Sequence, residues 1–95
     1  MRITRGDLKA LLERINKATG HPVAPWGQEP DGKWSASVGT YVLDWAYGGV
    51  RLCQLCNESG GERDITQRST KAETYQRMHA FLAGIEAQTS QGARI

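Results

Sequence analysis

The sequence predicts a small α+β domain: a helix, a three-stranded antiparallel sheet and a second helix, with both helices packed on one face of the sheet. Three observations predict it. Apolar residues recur at helical spacing towards each end, and short stretches between them alternate apolar with polar residues. Paired glycines then interrupt the alternation where a hairpin would turn.

The first helix follows Thr4, whose hydroxyl can cap free backbone N–H groups. Asp7 puts negative charge into the positive first turn, and Ile3 and Leu8 flank the cap at hydrophobic-staple spacing. Leu8, Leu11, Leu12, Ile15 and Ala18 share one face, and Lys9, Glu13 and Lys17 lie opposite. Gly20 stops the helix and Pro22 prevents its continuation.

The stretch "HPVAPWGQEPDGK" holds all three prolines and reads as a loop. Pro30-Asp31-Gly32 turns the chain into a strand over Lys33–Val38, where Trp34, Ala36 and Val38 alternate with polar residues. After Gly39 a second strand carries Tyr41, Leu43 and Trp45 on one side and Val42, Asp44 and Ala46 on the other. Gly48-Gly49 makes the tight turn, and the third strand runs Val50 to Asn57. An even-numbered hairpin loop puts Tyr41, Leu43 and Trp45 on one face with Val50, Leu52 and Gln54. The opposite face then carries Val42, Asp44, Arg51, Cys53 and Leu55.

"NESGGERD" reads as a loop, and Thr70 with Glu73 forms a capping box that opens the second helix. Tyr75, Met78, Phe81, Leu82 and Ile85 form its buried stripe, while Ala80, Ala83, Gly84 and Ala87 leave another side lean. Residues 1–88 make one domain and 89–95 a flexible C-terminal tail.

The chain has 95 residues, 39% hydrophobic and 23% charged, which fits one globular domain with a modest core. Its net charge of +2 is spread without blocks, so no concentrated basic stripe marks a nucleic-acid binder. No apolar run approaches the roughly 20 residues that span a bilayer, and the N-terminus reads as a helix rather than a signal peptide. A cytosolic location with two reduced cysteines is expected.

"RLCQLC" is the one ready-made chemical motif. Strand positions three apart point to opposite faces, so the Cys53 and Cys56 thiols diverge. His21 and His79 are scattered, and no helix begins after Cys53 to activate a thiol. Cys56 is expected in the core and Cys53 on the open face, with no metal and no cofactor. His79 flanks an apolar stripe, Asp44 faces Arg51 as a cross-strand ion pair, and neither glycine pair fits a phosphate loop. No enzymatic activity is expected.

Two binding classes remain. The element order matches that of double-stranded RNA-binding domains, and Arg68, Lys71 and Arg77 are the candidate contacts for that alternative. The preferred candidate is a protein interface on the outer sheet face, Val42, Asp44, Arg51, Cys53 and Leu55, where Val42, Cys53 and Leu55 are expected to be exposed. Trp26 and Trp34 are expected to be partly open as well. Such a surface suits a homodimer or a hetero-complex.

The segment "YVLDWAYGG", with Leu52, Asn57, Gly60-Gly61, Asp64 and "TKAETY" leading to "AFLAGI", resembles a family of small uncharacterised proteins of tailed bacteriophages and prophages. "DLKALLERINKATGHP" fits the same family's opening helix. The resemblance brings no catalytic residues. It implies an accessory protein in the bacterial cytoplasm that binds a host or phage protein. The physical content of its signature is that Tyr41 and Leu43 supply core contacts and Gly48 and Gly49 make the turn, with Asp44 and Tyr47 anchoring the hairpin.

Overall fold

A computed structural model describes residues 2–92. Helix α1 spans Arg5–Thr19, followed by strands β1 (Trp26–Gln28), β2 (Trp34–Ala36), β3 (Tyr41–Ala46), β4 (Gly49–Leu55) and β5 (Glu62–Asp64), and helix α2 over Lys71–Gly92. The architecture is mixed α+β. No helix among the described residues is long and apolar enough to cross a membrane.

Both helix starts follow the sequence. Thr4 N–H donates to Asp7 Oδ2 (2.9 Å) and Asp7 N–H donates back to Thr4 Oγ1 (3.2 Å), so two N-terminal donors are satisfied reciprocally. Thr70 and Glu73 repeat the arrangement at α2, where Glu73 N–H reaches Thr70 Oγ1 at 3.2 Å. Helix α2 continues through Gly92, well into the expected tail, and residues 93–95 lie outside the described set.

The sheet differs from expectation in which strands compose it. Its order is β3-β4-β5, and β1 and β2 form a separate two-stranded ribbon. The turn Pro30-Asp31-Gly32 is the middle of a separate hairpin, not the entry to the first strand of the main sheet. Asp31 Oδ1 accepts from Lys33 N–H (3.0 Å), and Gln28 pairs with Trp34. The third strand of the main sheet is β5, inside the expected loop. Its three charged residues show no apolar alternation, and it is held by pairing and charge: Arg63 opposite Gln54, Glu62 opposite Leu55, Asp64 opposite Cys53.

The β3–β4 hairpin turns at Tyr47-Gly48, one residue earlier than the expected Gly48-Gly49, because Gly49 already pairs with Ala46 as the first residue of β4. The expected register holds, with Leu43 opposite Leu52 and Tyr41 opposite Gln54. Gly49 has φ of 129°, and a Cβ there would strike the Ser69 carbonyl, because Val50 and Ser69 exchange backbone hydrogen bonds (2.9 and 3.0 Å). Leu8, Leu11 and Ile15 of α1, Tyr41, Val50 and Leu52 of the sheet, and Met78 and Leu82 of α2 form one buried cluster. Leu43, Trp45, Tyr75, Phe81 and Ile85 pack partly buried around it. Ala18 is exposed, and Asn16 is buried in its stead.

Among the described residues three polar side chains are fully buried, and each binds backbone. Thr40 Oγ1 donates to Pro22 C=O (2.8 Å), and Thr74 Oγ1 donates to Val50 C=O (3.2 Å). Asn16 accepts from Tyr41 N–H at Oδ1 (2.7 Å) and donates from Nδ2 to Tyr41 C=O (3.0 Å).

Candidate functional site

The face carrying Val42, Asp44, Arg51, Cys53 and Leu55 is brought together by the β3–β4 register, but it is not an open apolar surface. Cys53 is fully buried and Leu55 nearly so, and Val42 is half-buried. This corrects the expected exposure of these three residues. The physical cause is twofold. Ala36 N–H of β2 bonds Glu58 C=O just past β4 (2.9 Å), which ties the ribbon to the β4–β5 turn. Above Cys53 spreads an ion network that the missing β5 made invisible in sequence.

At its centre Asp44 Oδ2 accepts from Arg51 Nε and from Arg68 Nη2, both at 2.7 Å. Arg51 reaches onward to Glu62 (3.4 Å) and to Asp64. The Arg51 guanidinium, then that of Arg68, holds the Asp44 carboxyl below its ordinary range, and Asp44 raises Arg51 in return. Burial pushes the Cys53 thiol up. Asp44, Cys53 and Glu62 bring their ligand-type atoms within 4.8 Å of one another. The donor set does not suit a cation, because both carboxylates already carry guanidinium partners and the thiol is held protonated.

Cys56 is exposed, with Sγ directed at Gly61 C=O (3.2 Å), so the expected placement of the two thiols is reversed. Tyr47 is fully exposed and does not anchor the hairpin. Arg68 does, through Nη1 to Asp44 C=O (3.0 Å) and Gly49 C=O (3.1 Å). Of the alternative nucleic-acid contacts, Arg68 is therefore committed to the fold. Lys71 is exposed at the first turn of α2, and Arg77 is exposed and donates to Ser69 Oγ (3.0 Å). His21 Nδ1 bonds Thr19 Oγ1 (2.8 Å) and His79 Nε2 bonds Tyr75 (3.2 Å). Among the described residues neither ring meets a carboxylate or a thiol.

Two grooves remain. A shallow one of about 570 Å³ runs between the residues after β5 and α2, lined by Ile65, Thr66, Gln67, Arg77, Ala80 and Phe81. It borders the lean side of α2 at Gly84 and Gln88.

The second groove, about 310 Å³, is more apolar, and sequence reasoning missed it. Arg5, Lys9 and Leu12 of α1 form one wall, Val23 and Pro25 the other, and Tyr41, Leu43 and Trp45 of β3 its floor. The i, i+4, i+7 spacing of Arg5, Lys9 and Leu12 was a readable signal for that wall. That β3 is a sheet edge was not readable, because the expected first strand of the sheet, around Trp34–Ala36, pairs with Trp26–Gln28 in the ribbon instead. Arg5 lies over the Trp45 ring at 4.4 Å.

The β3 backbone is directional here. Val50 bonds Ser69, and Leu52 bonds Thr66 and Ile65, so both point away from β3. Their partners Trp45 and Leu43 therefore turn N–H and C=O to the outer edge, as Tyr41 does towards Asn16.

Comparison of the chain with family models, curated proteins and solved structures found no match.

Proposed function

We propose that this chain is a small phage- or prophage-type accessory protein that acts in the bacterial cytoplasm by binding another polypeptide and catalyses no reaction. The family resemblance of the hairpin supplies the phage context. The observation that carries the binding reading is the apolar groove beside β3, where Leu12, Val23, Pro25 and Trp45 surround a free strand edge. The partner is a host or phage protein, and a second copy of the chain is the competing occupant.

A photo-crosslinking residue at Val23, which is 43% exposed, tests the reading in producing cells. Discrete polypeptide adducts from Val23, absent from a control position at Ala83, are the expected result. Adducts removed by nuclease would replace the reading with the nucleic-acid alternative and direct attention to Lys71 and Arg77. Val23 adducts no stronger than those of the control would overturn it.

A further inference from the structure

We infer that the groove accepts an extended, acidic segment of its partner as an added strand along β3. The inference rests on the protein-binding reading and names the recognition mode at the same site.

An edge strand offers a row of N–H and C=O groups that pair with any chain laid alongside. On β3 the first outward pair, at Tyr41, is filled by the Asn16 carboxamide, which binds N–H at 2.7 Å and C=O at 3.0 Å. That carboxamide has the donor and acceptor of a peptide group, so the molecule itself shows an amide seated on this edge. The next outward pair, at Leu43, opens into the groove, and Trp45 follows it. A strand continuing the line that Asn16 begins would lie the usual 4.7–4.9 Å or so from β3, between α1 and the Val23–Pro25 wall.

The side chains around the groove set the chemistry of what it accepts. Leu12, Val23 and Pro25 provide an apolar seat. Arg5 and Lys9 stand one helical turn apart on the rim, and among the described residues neither forms an ion pair with a carboxylate. Two like charges at this spacing repel, and an anionic partner relieves the repulsion. Stacking on Trp45 holds the Arg5 guanidinium at the groove rather than free in solvent. A basic rim, an apolar seat and a free strand edge together select an extended segment bearing apolar and acidic side chains. The other edge does not qualify, because β5 presents Glu62, Arg63 and Asp64 in succession.

The test uses isotope-labelled full-length protein and end-blocked peptides of alternating valine and glutamate. One control has lysine in place of glutamate, and two others are N-methylated on alternate amides in the two possible frames. The glutamate peptide is expected to shift and protect the Leu43 and Trp45 amides and leave the β5 amides unchanged. The lysine peptide should bind at least about tenfold more weakly, with the preference reversed in Arg5→Glu/Lys9→Glu. One methylation frame should abolish binding and the other retain it. Equal binding by both frames, equal binding by the two charge types, or an undisturbed Leu43 amide would overturn strand addition. So would self-association that shifts the same amides without peptide. If Val23 still crosslinks a polypeptide while the peptides leave Leu43 untouched, partner binding stands and this mode of it fails.

Discussion

Asn16 and Tyr41, 25 positions apart in sequence, form a closed two-hydrogen-bond ring in the core, with the Asn16 amide binding both backbone polar groups of Tyr41. It joins helix α1 to the edge of the sheet by a polar contact inside an apolar cluster. An unmade bond there would leave buried groups without water or protein partners.

Asn16→Ala therefore strands the Tyr41 N–H and C=O, and a loss of about 2–4 kcal/mol is expected in urea unfolding. Asn16→Asp keeps the acceptor and loses the donor, so it should be destabilised as well. Hydrogen exchange at the Tyr41 amide separates the two variants, with protection collapsing in the alanine form and retained in part in the aspartate form.

Asp44 makes the fold acid-sensitive. Its carboxyl titrates below the ordinary 3.8 in the folded state, so the stability it contributes is present above that value. That contribution is lost as pH falls from 3.8 through the lowered folded pKa. Asp44→Asn should lower stability near neutrality and flatten its decline between about pH 5 and about pH 2, measured as urea midpoints across that range. Arg68→Met should destabilise the hairpin further, because two backbone carbonyls lose their donor with it.

The two thiols should differ in reactivity. Iodoacetamide should modify Cys56 in the native protein and Cys53 only on unfolding, giving one adduct by mass spectrometry without denaturant and two with it. Burial raises the Cys53 pKa above its ordinary 9.0, so its contribution to stability is complete below that value. It falls as pH rises from 9.0 through the folded pKa. Cys53→Ala should remove this alkaline component while leaving a cavity.

Glycine substitutions should split by position. Gly49→Ala forces a positive φ on alanine and drives its methyl into the Ser69 carbonyl, so a loss of about 3 kcal/mol or more is expected. At Gly84 a Cβ meets nothing within 4 Å, and Gly84→Ala in the α2 interior should gain about 0.5–1 kcal/mol. Thermal melts of the two variants measure both effects.

The parts legible in sequence were those fixed by local rules. Thr4 with Asp7 and Thr70 with Glu73 announce both helix starts, and the glycines at 48–49 mark the hairpin to within one residue, while the apolar alternation on either side gives its register. Strand β5 was illegible because Glu62-Arg63-Asp64 has no apolar face. Its pairing is decided by Arg51, Gln54 and the turn after Asn57, which are tertiary facts. The same omission hid the Arg51 network and made Cys53 look open. The ribbon is not legible in the sequence because Pro30-Asp31-Gly32 marks a turn without saying which flanking segments pair. For the candidate site, the ion pair Asp44–Arg51 was readable from cross-strand spacing. The groove beside β3 was not, since it exists only once the strand order is known.

The charged triplet of β5 also bounds how large an assembly can become. A sheet grows into fibrils when both margins accept another copy, and three consecutive ionised side chains on one margin deny the second addition. A strand added along β3, as proposed above, would therefore be a terminal addition: each main sheet would be extended once, giving a discrete complex rather than a polymer.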